Sequence, residues 1–157
     1  MSLLSLSRRT GRALKRKKRM LATAESCTGG WVAQALTSVA GSSDWFERGY
    51  VTYSNAAKRE ALGVPKRTLL RYGAVSEQTA RAMALGALRR SGAPMSLAIT
   101  GIAGPGGGLP GKPVGTVCFA WAQGRRIRSE TRRFRGGRSR VRRQSVIHAL
   151  RGVLRWL

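Results

Sequence analysis

Met20-Leu-Ala-Thr-Ala-Glu-Ser-Cys-Thr-Gly-Gly30 runs straight into Trp31-Val-Ala-Gln-Ala-Leu-Thr-Ser-Val39, and the two halves follow different periods. Met20 to Ala24 is a short apolar run that ends at a turn, which reads as a buried strand. From Gly30 onward Val32, Ala35, Leu36 and Val39 recur at i, i+3, i+4 and i+7, the spacing of one helix face. A strand feeding a helix through a Gly-Gly turn is the opening unit of an α/β layer fold. Ala40-Gly-Ser-Ser43 then breaks the helix.

Outward from this unit the alternation continues. Tyr50 to Ser54, rich in Val, Thr and Tyr, reads as a second strand. A short helix is expected near Asn55 to Leu62, with Gly63 as its C-terminal cap. Pro65 suits the first position of another. Ser76 can N-cap a longer helix whose Ala80, Met83, Ala84, Ala87 and Leu88 keep helical spacing. Ser96 to Thr100 is a third strand, followed by a Gly-rich loop from Gly101 to Pro113. Gly115 to Ala122 and Ile127 to Phe134 read as an antiparallel hairpin about Gly124. A closing helix from about Ser139 places Val146, Ile147, Leu150, Val153, Leu154 and Leu157 on one face. The expected fold is a single three-layer α/β/α domain over residues 1–157 with a mixed sheet. Residues 1–19 read as a weak basic helix, and residues 1–10 are expected to fray as an extension.

The 157 residues include 30 Lys and Arg against six Asp and Glu, a formal charge of +24. Hydrophobic residues still make up 42%, which separates the chain from charge-driven disorder. Ten arginines fall between Arg125 and Arg143, with Glu130 the one acid among them. Such a run attracts polyanions without specifying one, so it suits either a solvated surface or a nucleic-acid-binding module. Phe134 is the one aromatic in the run, too few for a base-stacking platform. No apolar run approaches the length of a membrane span, and the N-terminal apolar patch precedes its charges, the reverse of a secretion signal. A cytoplasmic protein is expected. Cys27 and Cys118 make no disulfide framework, and with His148 as the single histidine no zinc-ligand spacing is visible. No metal and no cofactor are expected.

Three elements can carry chemistry. Ser26, at the strand-to-helix turn, can attack a carbonyl beside unpaired helix amides, and Gly29 and Gly30 leave the approach open. It can equally cap the helix, as can Thr28. Cys27 is a rival nucleophile, but a cysteine enzyme usually needs a histidine partner and His148 lies on the closing helix. With no histidine nearby, a lysine base is the alternative. Lys58, just after Tyr53-Ser-Asn-Ala-Ala57, is the candidate, although an isolated helix lysine is ordinarily a solvent-facing one. The third element, Thr100-Gly-Ile-Ala-Gly-Pro-Gly-Gly-Gly108, follows a strand and can offer an amide nest to a phosphate, with Lys112 just beyond. It is not a Walker A loop, because Pro113 follows Gly111-Lys112.

Taken together and in this order, the segments Leu21–Gly30, Ala40-Gly-Ser-Ser-Asp-Trp-Phe46, Val51-Thr-Tyr-Ser-Asn-Ala-Ala-Lys58, Tyr72-Gly-Ala-Val-Ser76, Ile99-Thr-Gly-Ile-Ala-Gly-Pro105 and Lys112-Pro-Val-Gly-Thr-Val117 resemble the CinA C-terminal family. The resemblance runs from about residue 10 to the C-terminus. It implies a Ser-Lys hydrolase that converts nicotinamide mononucleotide and water to nicotinate mononucleotide and ammonia, in pyridine nucleotide recycling. Ser26 would be the nucleophile, Lys58 its base and Tyr53 a polar helper. The expected substrate-binding set is Glu25, Cys27, Thr28, Gly29 and Gly30 in the turn, with Thr100, Gly101, Gly104 and Pro105 in the loop. An amidase for another small amide is the alternative substrate reading. A homodimer would be usual for a small α/β enzyme. Arg48 and Gly137 depart from the family pattern, where a glycine and an aspartate are expected.

Overall fold

The computed structural model describes residues 1–157. Five strands form one sheet: β1 (Leu21–Glu25), β2 (Phe46–Val51), β3 (Met95–Gly101), β4 (Thr116–Gln123) and β5 (Arg126–Arg133), in the order β2-β1-β3-β4-β5. β1 runs parallel to β2 and to β3, whereas β3–β4 and β4–β5 are antiparallel, so the sheet is mixed. Six helices, α1 (Leu3–Arg16), α2 (Trp31–Thr37), α3 (Asn55–Leu62), α4 (Lys66–Tyr72), α5 (Glu77–Ser91) and α6 (Arg138–Trp156), cover its two faces.

The strands show why both faces must be covered. All five β1 side chains are buried, as are the first six of β3 and the first seven of β4. One core joins α1, α2 and α6 to the sheet through Leu14, Val32, Leu36, Phe119, Val146 and Leu150. The other packs α3 and α5 on the opposite face through Leu62, Ala80, Met83, Ala84 and Ala87. The indole of Trp121 lies so close to α6 that a Cβ at Gly152 would collide with it, and its Nε1–H donates to the Ala149 carbonyl at 3.0 Å.

Most expected elements stand where the sequence puts them. Gly63 closes α3 at φ +68°, and Ser76 Oγ accepts from the Thr79 amide as the cap of α5. Three expectations change. Residues 3–10 are not an extension apart from the fold but the first turns of α1, within the basic helix expected over residues 1–19, with Ser2 capping the Ser5 amide and Leu6 and Thr10 buried. The second strand is Phe46–Val51 and not Tyr50–Ser54. It is an edge strand with four of six residues exposed, so it lacks the apolar pattern of a strand. Thr52 keeps one more bond to β1, donating its amide to the Glu25 carbonyl, and then Ser54 turns away to cap α3 through the Ala57 amide. Pro65 sits one position outside α4, as its N-cap.

The connectivity fixes where a ligand can enter. The chain leaves β1 toward β2 through α2, and leaves the neighbouring β3 toward β4, so it departs from two adjacent strands in opposite directions. Open α/β sheets bind ligands at such a reversal, beyond the carboxyl ends of the strands. Here those ends are Ser26 and the Thr100–Gly104 loop.

Candidate active site

Ser26 continues β1 by donating its amide to Ile99 of β3 at 3.0 Å, after which the chain swings into α2. Gly30 caps that helix at φ +101°, a left-handed conformation that side-chain-bearing residues rarely adopt. The amide of Gly29 is spent on the Ser26 carbonyl at 3.0 Å, but those of Cys27 and Thr28 donate to no protein group. Two amides directly after the serine are therefore open to an oxyanion.

Lys58 comes in from α3, 32 positions away in sequence, and is among the most buried large side chains of the protein. Its Nζ lies 3.1 Å from Ser26 Oγ and 3.1 Å from each of the carbonyl oxygens of Thr52 and Tyr53. As an ammonium it would donate to all three. As a neutral amine it keeps two N–H donors for the two carbonyls and turns its lone pair to the Ser26 hydroxyl, which then donates. Burial drives Lys58 below the usual lysine range, with Cys27 pulling weakly the other way. The same burial pushes the Cys27 thiol up to about 12, against small opposing effects of its own backbone and of Arg142 and Lys58. A thiol in that environment is a packing group and not a thiolate nucleophile.

His148 is held elsewhere. Its Nε2 lies 2.9 Å from Glu130 and its ring packs on Phe119, Trp121 and Phe134. Burial lowers its affinity for a proton, partly offset by Glu130. No three His, Cys, Asp or Glu side chains converge as a ligand set.

A cavity of about 270 Å³ opens on Ser26, Lys58 and Tyr53, with the Thr100–Gly104 loop as its opposite wall. Of the expected site residues, Ser26, Cys27, Tyr53, Lys58, Thr100, Gly101 and Gly104 line it, whereas Glu25, Thr28, Gly29, Gly30 and Pro105 do not. Glu25 instead lies fully buried behind the turn. Its carboxylate accepts from Thr28 Oγ1 (2.6 Å) and from the amides of Val32 (2.8 Å) and Ala33 (3.1 Å). It is the cap of α2 supplied from the preceding strand, so it holds the serine turn without facing the cavity. The amides of Ala103 and Gly104 have no protein acceptor, which leaves the loop able to hold an anion.

Sequence reasoning missed Arg138 and Arg142. Arg138 lines the cavity, donates to the Gly104 carbonyl at 2.7 Å and reaches the Tyr53 hydroxyl at 3.1 Å, spanning the cleft mouth. Arg142, one turn on, donates to the carbonyls of Cys27 (3.1 Å) and Thr28 (3.2 Å) and lies over the Trp31 ring. The one signal was their i, i+4 spacing in the first turns of α6, masked by the arginines around them.

The CinA C-terminal domain matches residues 3–157. The chain belongs to that family. It is 54% identical to a protein of Pseudomonas putida named nicotinamide-nucleotide amidohydrolase PncC, over 96% of this chain and 94% of that one. It is 53% identical to the protein of that name from Escherichia coli K12, over 94% and 90% of the two chains. Among solved structures, a competence/damage-inducible protein of Agrobacterium tumefaciens superposes with a TM-score of 0.95 at 46% identity, covering 99% of this chain and 98% of its own.

Proposed function

We propose that this protein hydrolyses the carboxamide of nicotinamide mononucleotide, giving nicotinate mononucleotide and ammonia, with Ser26 as nucleophile and Lys58 as base. The observation that carries the reading is the buried 3.1 Å approach of Lys58 Nζ to Ser26 Oγ at the carboxyl end of β1. The names of the relatives supply the substrate.

The steps follow from the donors at hand. Neutral Lys58 takes the Ser26 proton as Oγ attacks the amide carbon. The oxyanion that forms is held by the amides of Cys27 and Thr28. Lys58 then gives its proton to the departing nitrogen, the C–N bond breaks and ammonia leaves an ester on Ser26. Water attacks that ester, its proton passes to Lys58, and Ser26 leaves with the proton returned. Each step uses one proton on one nitrogen, so no second titrating group is required.

Arg138 and the free amides of Ala103 and Gly104 suit the phosphate of the nucleotide, since a guanidinium and backbone N–H groups are its usual partners. The reaction as written uses only groups of this chain. Chelator-treated protein incubated with nicotinamide mononucleotide is expected to release ammonia and nicotinate mononucleotide in equal amounts. Activity that disappears on chelation and returns with a divalent ion would overturn the metal-free scheme, and unchanged substrate would overturn the assignment. Attraction of polynucleotides by the arginine run is expected to be sequence-independent and to fall steeply with salt.

A further inference from the structure

A second cavity is larger than the one at Ser26. It measures about 660 Å³ against about 270 Å³, and lies where the start of α5 meets β4 and β5. Three cationic side chains line it, Arg71 from the end of α4, Lys112 from the Gly-rich loop and Arg133 from the end of β5. None of the three pairs with a carboxylate. Lys112 gives one proton to the Tyr72 carbonyl at 2.8 Å, and Arg133 gives one to the Gly111 carbonyl at 3.2 Å. The remaining donors of all three are free. Glu77 is the one acid in the lining, and both its oxygens are already taken, by Ser129 (2.8 Å) and Thr131 (2.7 Å) on β5.

The floor adds to this. Ser76, Glu77 and Gln78 line the cavity at the N-terminus of the 15-residue α5. The amides of Glu77 and Gln78 donate to no protein group, because the Ser76 cap serves Thr79. Free helix amides and three unpaired cations around one concavity make a receptor for phosphate oxygens. Only three of the twelve lining residues are hydrophobic, so the chemistry suits a chain of phosphates better than a buried ring.

We propose that this cavity is a second anion site, distinct from the catalytic cleft, that takes a di- or triphosphate group, either free or as the tail of a nucleotide. The two cavities share one wall. Val75 faces both, and the neighbouring Ala74 carbonyl accepts from Thr100 Oγ1 at 2.7 Å, in the loop that closes the cleft at Ser26.

The test is binding, so it does not depend on the reaction assigned to Ser26. Inorganic pyrophosphate and adenosine diphosphate are titrated separately at moderate salt, by calorimetry and by backbone amide chemical shifts. The expected result is saturable one-to-one binding of at least one of them, with shifts centred on Glu77 and Gln78. Saturation by pyrophosphate shows that the phosphate chain suffices, and saturation by the nucleotide alone shows that the base adds to it. Arg71→Gln with Arg133→Gln, both at exposed positions, weakens binding by about tenfold or more, as expected for loss of charge-assisted bonds, whereas Arg138→Ala leaves it unchanged. Loss in Arg138→Ala with retention in the double variant would place the anion in the catalytic cleft and overturn the proposal. So would uptake that never saturates, or wild-type shifts centred on Ala103 and Gly104.

Discussion

Replacing Glu25 by Gln removes one charge and changes no volume, and its consequences can be worked from three hydrogen bonds. All three partners of the carboxylate are donors: the Thr28 hydroxyl and the amides of Val32 and Ala33. A bond to a charged group contributes about 1.5–3 kcal/mol and a neutral one about 0.5–1.5. Glutamine keeps one acceptor oxygen, so two bonds survive in the neutral form at a loss of about 1 kcal/mol each. The third donor then faces an NH₂ group in a site closed to water, a mismatch that costs about 1–3 kcal/mol. The expected destabilisation is about 3–5 kcal/mol. At about 2–4 °C per kcal/mol for a chain of this size, the melting temperature falls by roughly 6–20 °C. The turn that loses its anchor carries Ser26, so kcat should fall about tenfold or more at temperatures where the variant is folded, with KM less affected. Thermal melts by circular dichroism and steady-state ammonia release measure the two effects. A melting temperature within about 2 °C of wild type, with unchanged kcat, would refute the idea that this carboxylate holds the catalytic turn.

Other consequences follow from the same geometry. Lys58→Met should leave a folded protein with turnover reduced about 10²–10⁴-fold, and Lys58→Arg should not rescue it, because a guanidinium keeps its proton; an arginine variant near the wild-type rate would make Lys58 a charge partner only. The rate should rise with pH as Lys58 loses its proton and level off below the usual lysine range, since burial lowers its proton affinity; a rise centred at or above that range would contradict the shift. The linked stability has the same sign: the unfolded lysine binds the proton more tightly, so Lys58 penalises the native state at low pH and the penalty fades as pH rises toward the unfolded value. Cys27→Ala should keep most of the activity, because the thiol is pushed up to about 12 by burial; loss of turnover comparable to that of a nucleophile variant would reopen the cysteine route. Gly137→Asp should raise stability by a few tenths to about 1 kcal/mol in thermal melts, because Gly137 is an uncapped N-cap of α6 in extended geometry with open space at its Cβ; a lower melting temperature would argue against it.

The sequence disclosed strands and helices wherever burial imposes a period. β1 is buried throughout because both its faces are covered, and α2 changes to a 3.6-residue period because one face is. β2 was misplaced because an edge strand with exposed side chains carries no such period. The proximity of Ser26 and Lys58 had no local signal at all: 32 residues separate them, and only the parallel placement of β1 beside β2 brings the start of α3 over the serine turn. Glu25 stands in sequence with the serine turn, which is what groups it with the substrate-binding residues, but as the last residue of β1 its side chain goes to the start of α2. Arg138 and Arg142 were hidden by composition, two functional-looking side chains among ten of the same type.

Ser26 as nucleophile and Ser26 as helix cap call for different outcomes of one substitution. Glu25 already caps α2, so Ser26→Ala removes no capping bond; what it removes is the buried Oγ partner of Lys58, a loss of about 1–3 kcal/mol that leaves the protein folded. Ammonia release from nicotinamide mononucleotide by folded Ser26→Ala protein is the direct measurement. A nucleophilic Ser26 requires a fall in kcat on the order of 10⁴-fold or more, and turnover within about tenfold of wild type would rule that role out.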